Sequence, residues 1–224
     1  MKVPLLSIHV ARGSRNIAGV KLLLADERVD VNSKDNAHQV TPLIQAAKHV
    51  VDIGIFKLLL AQQRVDVNWV ASYPVSGDVT ALMKASWHSN VEATKLLLDD
   101  PRVDVNWMDS RGLTVLHRLV ASPKPKVKKN LQMLQLLLAH PRVDVNCKGG
   151  PLGANILDPA AFYNEAEVVK LILAEPRFTS ANTPDEMGRT AVNAAMLEGN
   201  WDVLRELVHH PSVDLGVNLD DLAR

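Results

Sequence analysis

Apolar triplets punctuate the chain in a fixed phase with a basic anchor. They fall at 22–24, 58–60, 96–98, 136–138 and 171–173, and each ends four residues before an arginine: Arg28, Arg64, Arg102, Arg142 and Arg177. Around the triplets the apolar positions keep a spacing of three to four, as in Val91, Leu96 and Leu97 with Lys95 on the other side. That spacing predicts amphipathic helices with one buried face. Pro101, Pro141, Pro176 and Pro211 follow the later helices and predict where they stop, because proline cannot continue a helix.

After each of the first four arginines the chain reads Val-Asp-Val-Asn, at 29–32, 65–68, 103–106 and 143–146. Arg177 opens a decayed fifth copy and Ser212 a sixth, so the anchors are 36, 38, 40, 35 and 35 residues apart. A third signal keeps the same phase. Thr41-Pro42-Leu43 leads into Ile-Gln-Ala-Ala, Thr80 opens Ala-Leu-Met-Lys-Ala-Ser, and Thr114 opens Val-Leu-His-Arg-Leu-Val. Degenerate copies start at Asn155 and Thr190, and Val3 begins a further one. Threonine caps a helix well, proline is tolerated at its first position, and small residues let a neighbour approach closely. Turn residues such as Asp109-Ser110-Arg111-Gly112 separate the copies. Each copy therefore predicts a helix, a turn, a second helix and a hairpin-like loop. Such a unit buries its apolar face only by stacking on copies of itself.

Composition narrows the function classes. The 224 residues carry 25 basic and 25 acidic side chains, a balance that argues against a general nucleic-acid binder, which needs surplus Lys and Arg. With Cys147 as the sole cysteine, an intrachain disulfide is excluded and a reducing compartment is expected. The N-terminal apolar stretch is short and soon interrupted by His9, Arg12 and Arg15, unlike a signal peptide, and no apolar run has the length of a membrane helix. A cytoplasmic or nuclear location is expected.

Thr-Pro-Leu, Ala-Ala, a leucine triplet and Asp-Val-Asn at a period of about 33 residues resemble the ankyrin repeat. The resemblance runs over essentially the whole chain. It implies an all-α ankyrin-repeat solenoid of about six helix-turn-helix units joined by hairpin-like loops, in one domain over 1–224. The repeats divide near 1–32, 33–68, 69–106, 107–146, 147–182 and 183–224. There are departures: insertions in the first, second and fourth helix pairs, a loop between Asn68 and Thr80 four residues longer than the family norm, and Pro159 inside a first helix. These bear on loop shapes. The resemblance also implies a context in which Asn32, Asn68, Asn106 or Asn146 could be hydroxylated, although a structural role for the asparagine is the simpler expectation.

Nothing local suggests catalysis or a metal. There is no Gly-rich phosphate loop, no cysteine pair, and His209 and His210 are adjacent and so diverge on a helix. His117 stands where the family usually has a histidine that satisfies backbone groups. The aspartates Asp30, Asp66, Asp104 and Asp144 and the arginine ladder are expected to support local backbone. Trp201 is expected in the core of the last helix. The lysines at 124–129 form the one basic cluster and read as a solvated loop.

The aromatics carry the binding expectation. Trp69 and Trp107 directly follow Asp-Val-Asn, where the family prefers a small residue; Trp87, Phe162 and Tyr163 close the first helices of their repeats. In the family, these helix ends and the hairpin tips form a concave binding face, and large aromatics there suit a hot spot, though they could equally fill gaps. Tyr73, His88, Met108, Arg111 and Arg118 join the candidates in the middle repeats, and Met187 and Arg189 in the last. Lys34, Asn36, His38, Lys84, Ser110 and Glu186 extend the same face. The expected function is a monomeric protein-interaction module, an adaptor or inhibitor, that binds another protein and neither nucleic acid nor membrane, with no cofactor. The rival readings are an enzyme with its active site in the concave groove, and a structural subunit of a larger assembly. A closed pocket with perturbed acids or bases would favour the enzyme.

Overall fold

Three threonines start helices as their sequence context predicts. Thr41, Thr80 and Thr114 each adopt an extended conformation and accept a hydrogen bond from the amide three residues on, at 3.5, 3.3 and 3.5 Å. The computed structural model describes residues 17–48, 53–74, 77–121, 127–163 and 165–215, with the backbone alone at 127–130. The segment begun by Val3, most of the basic insert and the chain after 215 lie outside these residues. The chain divides into two compact units, Met1–Ser110 and Arg111–Arg224.

In the first unit the described helices are α1 (Ile17–Ala25), α2 (Pro42–Ala47), α3 (Ile53–Leu60), α4 (Ala81–Trp87) and α5 (Val91–Asp99). The short helices α2 and α4 pack on each other, and each packs on the longer helix that follows it; α3 lies between α1 and α5. Alanines make the close approach: Ala47, Ala81 and Ala85 are wholly buried. Phe56, Leu59 and Leu97 fill the space between the rows without exposure, each such burial stabilising by about 1.5–3 kcal/mol. The long loop before Thr80 forms a small antiparallel hairpin, β1 (Ala71–Tyr73) with β2 (Gly77–Val79), so the otherwise helical fold gains two short strands.

The second unit repeats the scheme with α6 (Val115–Val120), α7 (Val127–Leu138), α8 (Leu157–Phe162), α9 (Ala166–Leu173), α10 (Ala191–Leu197) and α11 (Trp201–His209). The inner row is α6, α8 and α10, and the outer row α7, α9 and α11. Pro159 does not break α8, because it sits in the first turn, where its missing N–H would have no helical partner.

Within each unit the repeated polar residues tie one copy to the next. Asn32 donates to the Arg64 carbonyl and accepts from the Asp66 amide, both at 2.8 Å; Asn68 does the same with Arg102 and Asp104. In the second unit Asn146 bridges to Arg177 and Thr179, and Asn182 to Ser212 and Asp214. The arginines reach further back. Arg64 donates to the Leu24 carbonyl at 2.8 Å, Arg102 to Leu60 at 2.6 Å, and Arg177 to Leu138. They satisfy the orphan carbonyls at the end of the preceding outer helix, with a positive charge at its negative pole.

Trp201 corrects the core expectation: it is 71% exposed. The buried positions of α11 are Val203 and Leu207, and Trp201 lies two residues from Val203, about 200° round the helix. Val208, at the register position of fully covered Leu98, is also exposed, since no further described helix packs on α11.

Candidate functional site

The sequence-predicted aromatics separate into two groups. In the first unit two of them are engaged inside the protein. Trp69 donates from Nε1 to the Gln39 carbonyl at 2.7 Å, and Lys34 Nζ sits 3.1 Å from the centre of its ring. Tyr73, on β1, stacks on His38 with centroids 4.7 Å apart and accepts from Lys84 Nζ at 3.3 Å. Burial pulls the Lys84 ammonium below its usual range and pushes the Tyr73 phenol up. Trp87 and Met108 are exposed, whereas His88 and Trp107 are half-buried.

Within the second unit Arg111 is exposed, but Arg118 departs from its expected role. It is 9% exposed, on the buried helix α6, and presents no open surface for a partner. Phe162 and Tyr163, at the end of α8, are exposed and pack edge to face with centroids 5.2 Å apart. They overlook an open, mainly apolar groove of about 530 Å³, also lined by Leu113, Leu152, Leu197 and Arg189. Met187 is exposed nearby in sequence but is not part of the lining.

Short-range backbone chemistry shapes this groove. Gly149 pairs with Ala154, its amide donating to the Ala154 carbonyl at 2.8 Å. A Cβ on Gly149 would stand 2.5 Å from the Gly112 carbonyl oxygen and 2.7 Å from the His117 ring, so only glycine fits. His117 spans the turn: Nε2 donates to the Ala154 carbonyl at 3.1 Å and Nδ1 meets Thr114 Oγ1 at 2.9 Å. On the far wall Asp185 accepts from the Met187 and Arg189 amides and from both Arg189 Nε and Nη2. Burial opposes its charge, but these donors hold the Asp185 carboxyl below its usual range.

Asp158, on the first turn of α8, went unremarked in the sequence beyond its place in a degenerate copy. Its Oδ2 accepts from the Asn155 amide at 2.9 Å, while Oδ1 is buried without a hydrogen-bond partner. Burial raises the carboxyl to about 7; the Asn155 amide opposes, Asp185 adds to the rise, and Lys148 and Arg189 offset it. The detectable signal was register. Asp158 occupies the position that His117 holds in the preceding copy, flanked by Leu157 and Pro159.

One raised carboxyl beside a second that is held by an arginine is not a catalytic set. Both ring nitrogens of His117 are engaged, and the Cys147 thiol is pushed up by burial and donates to the Asp144 carbonyl. Among the described residues, Asp158 bonds only the Asn155 amide, which is neither nucleophile nor base. Among the described residues no group of three or more His, Cys, Asp or Glu could hold a metal, and no helix is long and apolar enough to cross a membrane.

Helix pairs in constant register, bridged by asparagine and arginine and bearing a groove of varied side chains, define a helical repeat protein. The chain belongs to the ankyrin-repeat family: the family described as Ankyrin repeats (3 copies) matches residues 52–148 and 82–182. Proteins of this family generally mediate protein–protein interaction and are typically not enzymes. No curated protein sequence matches the chain. Among solved structures, the ankyrin repeat domain of Bcl-3, described as a unique member of the IkappaB protein family, is 23% identical with a TM-score of 0.78, covering 95% of this chain and 87% of that one. The ankyrin repeat protein EF0377 is 22% identical with a TM-score of 0.74, covering 94% and 100%. A chain from the complex of the predatory endopeptidase Bd0816 of Bdellovibrio bacteriovorus with immunity protein Bd3460 is 20% identical with a TM-score of 0.65, covering 93% and 98%. At these identities the likeness speaks for the fold.

Proposed function

We propose that this chain is a monomeric protein-interaction module, an adaptor or an inhibitor, that seats a partner protein in the groove of its second unit. The observation that carries this reading is the exposed Phe162–Tyr163 pair above an apolar groove whose backbone is already held in place. Aromatics bury much area with few torsions to freeze, and a pre-formed surface loses little entropy on binding. The first unit is the weaker candidate, because Trp69 and Tyr73 spend their polar groups internally. The open groove, in which Asp185 is paired with Arg189 and Asp158 has no catalytic partner, favours recognition over catalysis.

The test compares the wild-type chain with the Phe162→Ala/Tyr163→Ala variant, both immobilised in extract from the native source, with retained proteins quantified by mass spectrometry. Specific partners retained by the wild type should fall at least tenfold with the variant, while circular dichroism shows the same fold. Equal recovery from both would refute the groove as the binding surface. Light scattering over a range of concentrations should give the mass of one chain.

A further inference from the structure

We propose that the groove of the second unit recognises a basic side chain of its partner, an arginine or lysine whose stem lies on Phe162 and Tyr163 and whose cation meets the carboxylate of Asp158. This rests on the reading of the groove as a protein-binding surface and specifies which residue it selects.

The argument starts from the repeat register. In one copy His117 fills its position and bridges to the Ala154 carbonyl of the next loop, 3.1 Å away. In the following copy the same position carries Asp158, a shorter side chain that when ionised only accepts and cannot bridge to a carbonyl. One oxygen completes the cap of α8 through the Asn155 amide. The other, on a residue only 9% exposed, has no partner, and a buried acceptor left unsatisfied is costly. Asp158 lines the groove, so a donor seated there is the partner that Oδ1 lacks.

Charge and shape select the kind of donor. Arg189, the one arginine lining the groove among the described residues, is already committed to Asp185 through a two-point contact at 3.0 and 2.8 Å. Glu198 adds a further carboxyl to the lining, next in sequence to exposed Leu197. The free charges of the lining are therefore acidic, and the walls leading to them are apolar and aromatic. A long side chain with an apolar stem and a cationic end matches both, and a cation over an aromatic face gains further attraction.

The charged groups around Asp158 set the pH response. Asp185 and Arg189 face it from the loop before α10, Lys148 from the loop before α8, and α6 contributes His117; Glu198 and Tyr163 also line the groove. With its carboxyl near 7, Asp158 is mostly neutral at pH 6 and mostly ionised at pH 8. Only the ionised form pairs with a cation.

The experiment uses the full chain with labelled leucine methyls and two probes, acetyl-Leu-Arg-Leu-amide and the same peptide with neutral citrulline in place of arginine. The arginine peptide should shift the methyl signals of Leu113, Leu152 and Leu197, and bind about tenfold more tightly at pH 8 than at pH 6. The citrulline peptide should show no such gain, and Asp158→Asn should remove it while keeping an acceptor for the Asn155 amide. Arginine binding at these methyls that is equal at both pH values, or unchanged in Asp158→Asn, overturns cation recognition but leaves the groove a binding surface. Shifts confined to other methyls, or none, also overturn it. The reading as an interaction module is judged separately by the Phe162→Ala/Tyr163→Ala comparison. If Asp158→Asn fails to fold, the contrast between the two peptides across pH on the wild-type chain decides alone.

Discussion

Arg102 donates from Nη2 to the backbone carbonyl of Leu60, one repeat earlier, at 2.6 Å. The same guanidinium donates to the Gln62 carbonyl and is held from behind by Asp100. One side chain thus closes the open end of α3 and joins two copies. Arg102→Ala should lower stability by about 1–3 kcal/mol, and Arg102→Lys should recover only part of it, because an ammonium lacks the planar fork. Urea unfolding of the three proteins measures this; a lysine variant as stable as the wild type would show that charge alone suffices.

The asparagine bridges predict a different loss. Asn68 uses its amide twice, as donor to Arg102 and acceptor from Asp104. Asn68→Asp keeps the acceptor and replaces the donor with an oxygen facing a carbonyl. It should destabilise by about 1–2 kcal/mol, more at neutral pH than at pH 3, where the carboxyl can again donate.

Much of this scaffold was legible because it repeats. Arginine, asparagine and threonine recur in phase, and several copies repeat the same backbone contacts, so the pattern carried both fold and role. What the arginines bind was not legible: charge at a helix end suggested their own helix, whereas the side chain is long enough to reach the one before. Trp201 was misread because apolar character alone does not tell which side of α11 a neighbour covers. In the groove, Phe162, Tyr163 and Arg189 were recognisable as large or charged residues at variable positions. Asp158 was not singled out, since its meaning lies in the difference from His117 one copy earlier and in burial that only packing creates. Leu113, Leu152 and Leu197 gave no signal, being leucines in a leucine-rich chain.

Gly149 predicts a steric failure. Gly149→Ala would drive a methyl toward the Gly112 carbonyl and the His117 ring at distances no Cβ tolerates. The loop must shift, at a cost of about 1–3 kcal/mol, and the His117 bridge to Ala154 shifts with it. A melting temperature equal to that of the wild type would show that the loop yields freely.

Asp158 makes stability depend on pH. Its folded carboxyl, near 7, lies above the ordinary 3.8, so between those values the folded chain holds a proton that the unfolded chain releases. The contribution is fully present below about pH 4, declines as pH rises, and is lost once pH passes 7, amounting to about 4 kcal/mol at most. Asp158→Asn should flatten this part of the profile, read by urea unfolding from pH 5 to 8. An unchanged slope would mean that Asp158 ionises as a solvated carboxyl.

Two tryptophans should separate by packing. Trp201 is exposed on α11 and is not among its buried positions, so Trp201→Ala should change stability by no more than about 0.5 kcal/mol. Trp69 is half-buried, carries the Lys34 ammonium on its ring and donates to the Gln39 carbonyl of the preceding loop. Trp69→Ala removes the packing and leaves that carbonyl without its donor, a loss of about 2 kcal/mol or more. Melting temperatures of the two variants measured side by side decide the matter. If Trp201→Ala falls as far as Trp69→Ala, the outer face of α11 is covered in solution. If neither falls, the contacts between Trp69, Lys34 and Gln39 contribute nothing to the fold, and Trp69 becomes available as part of a binding surface.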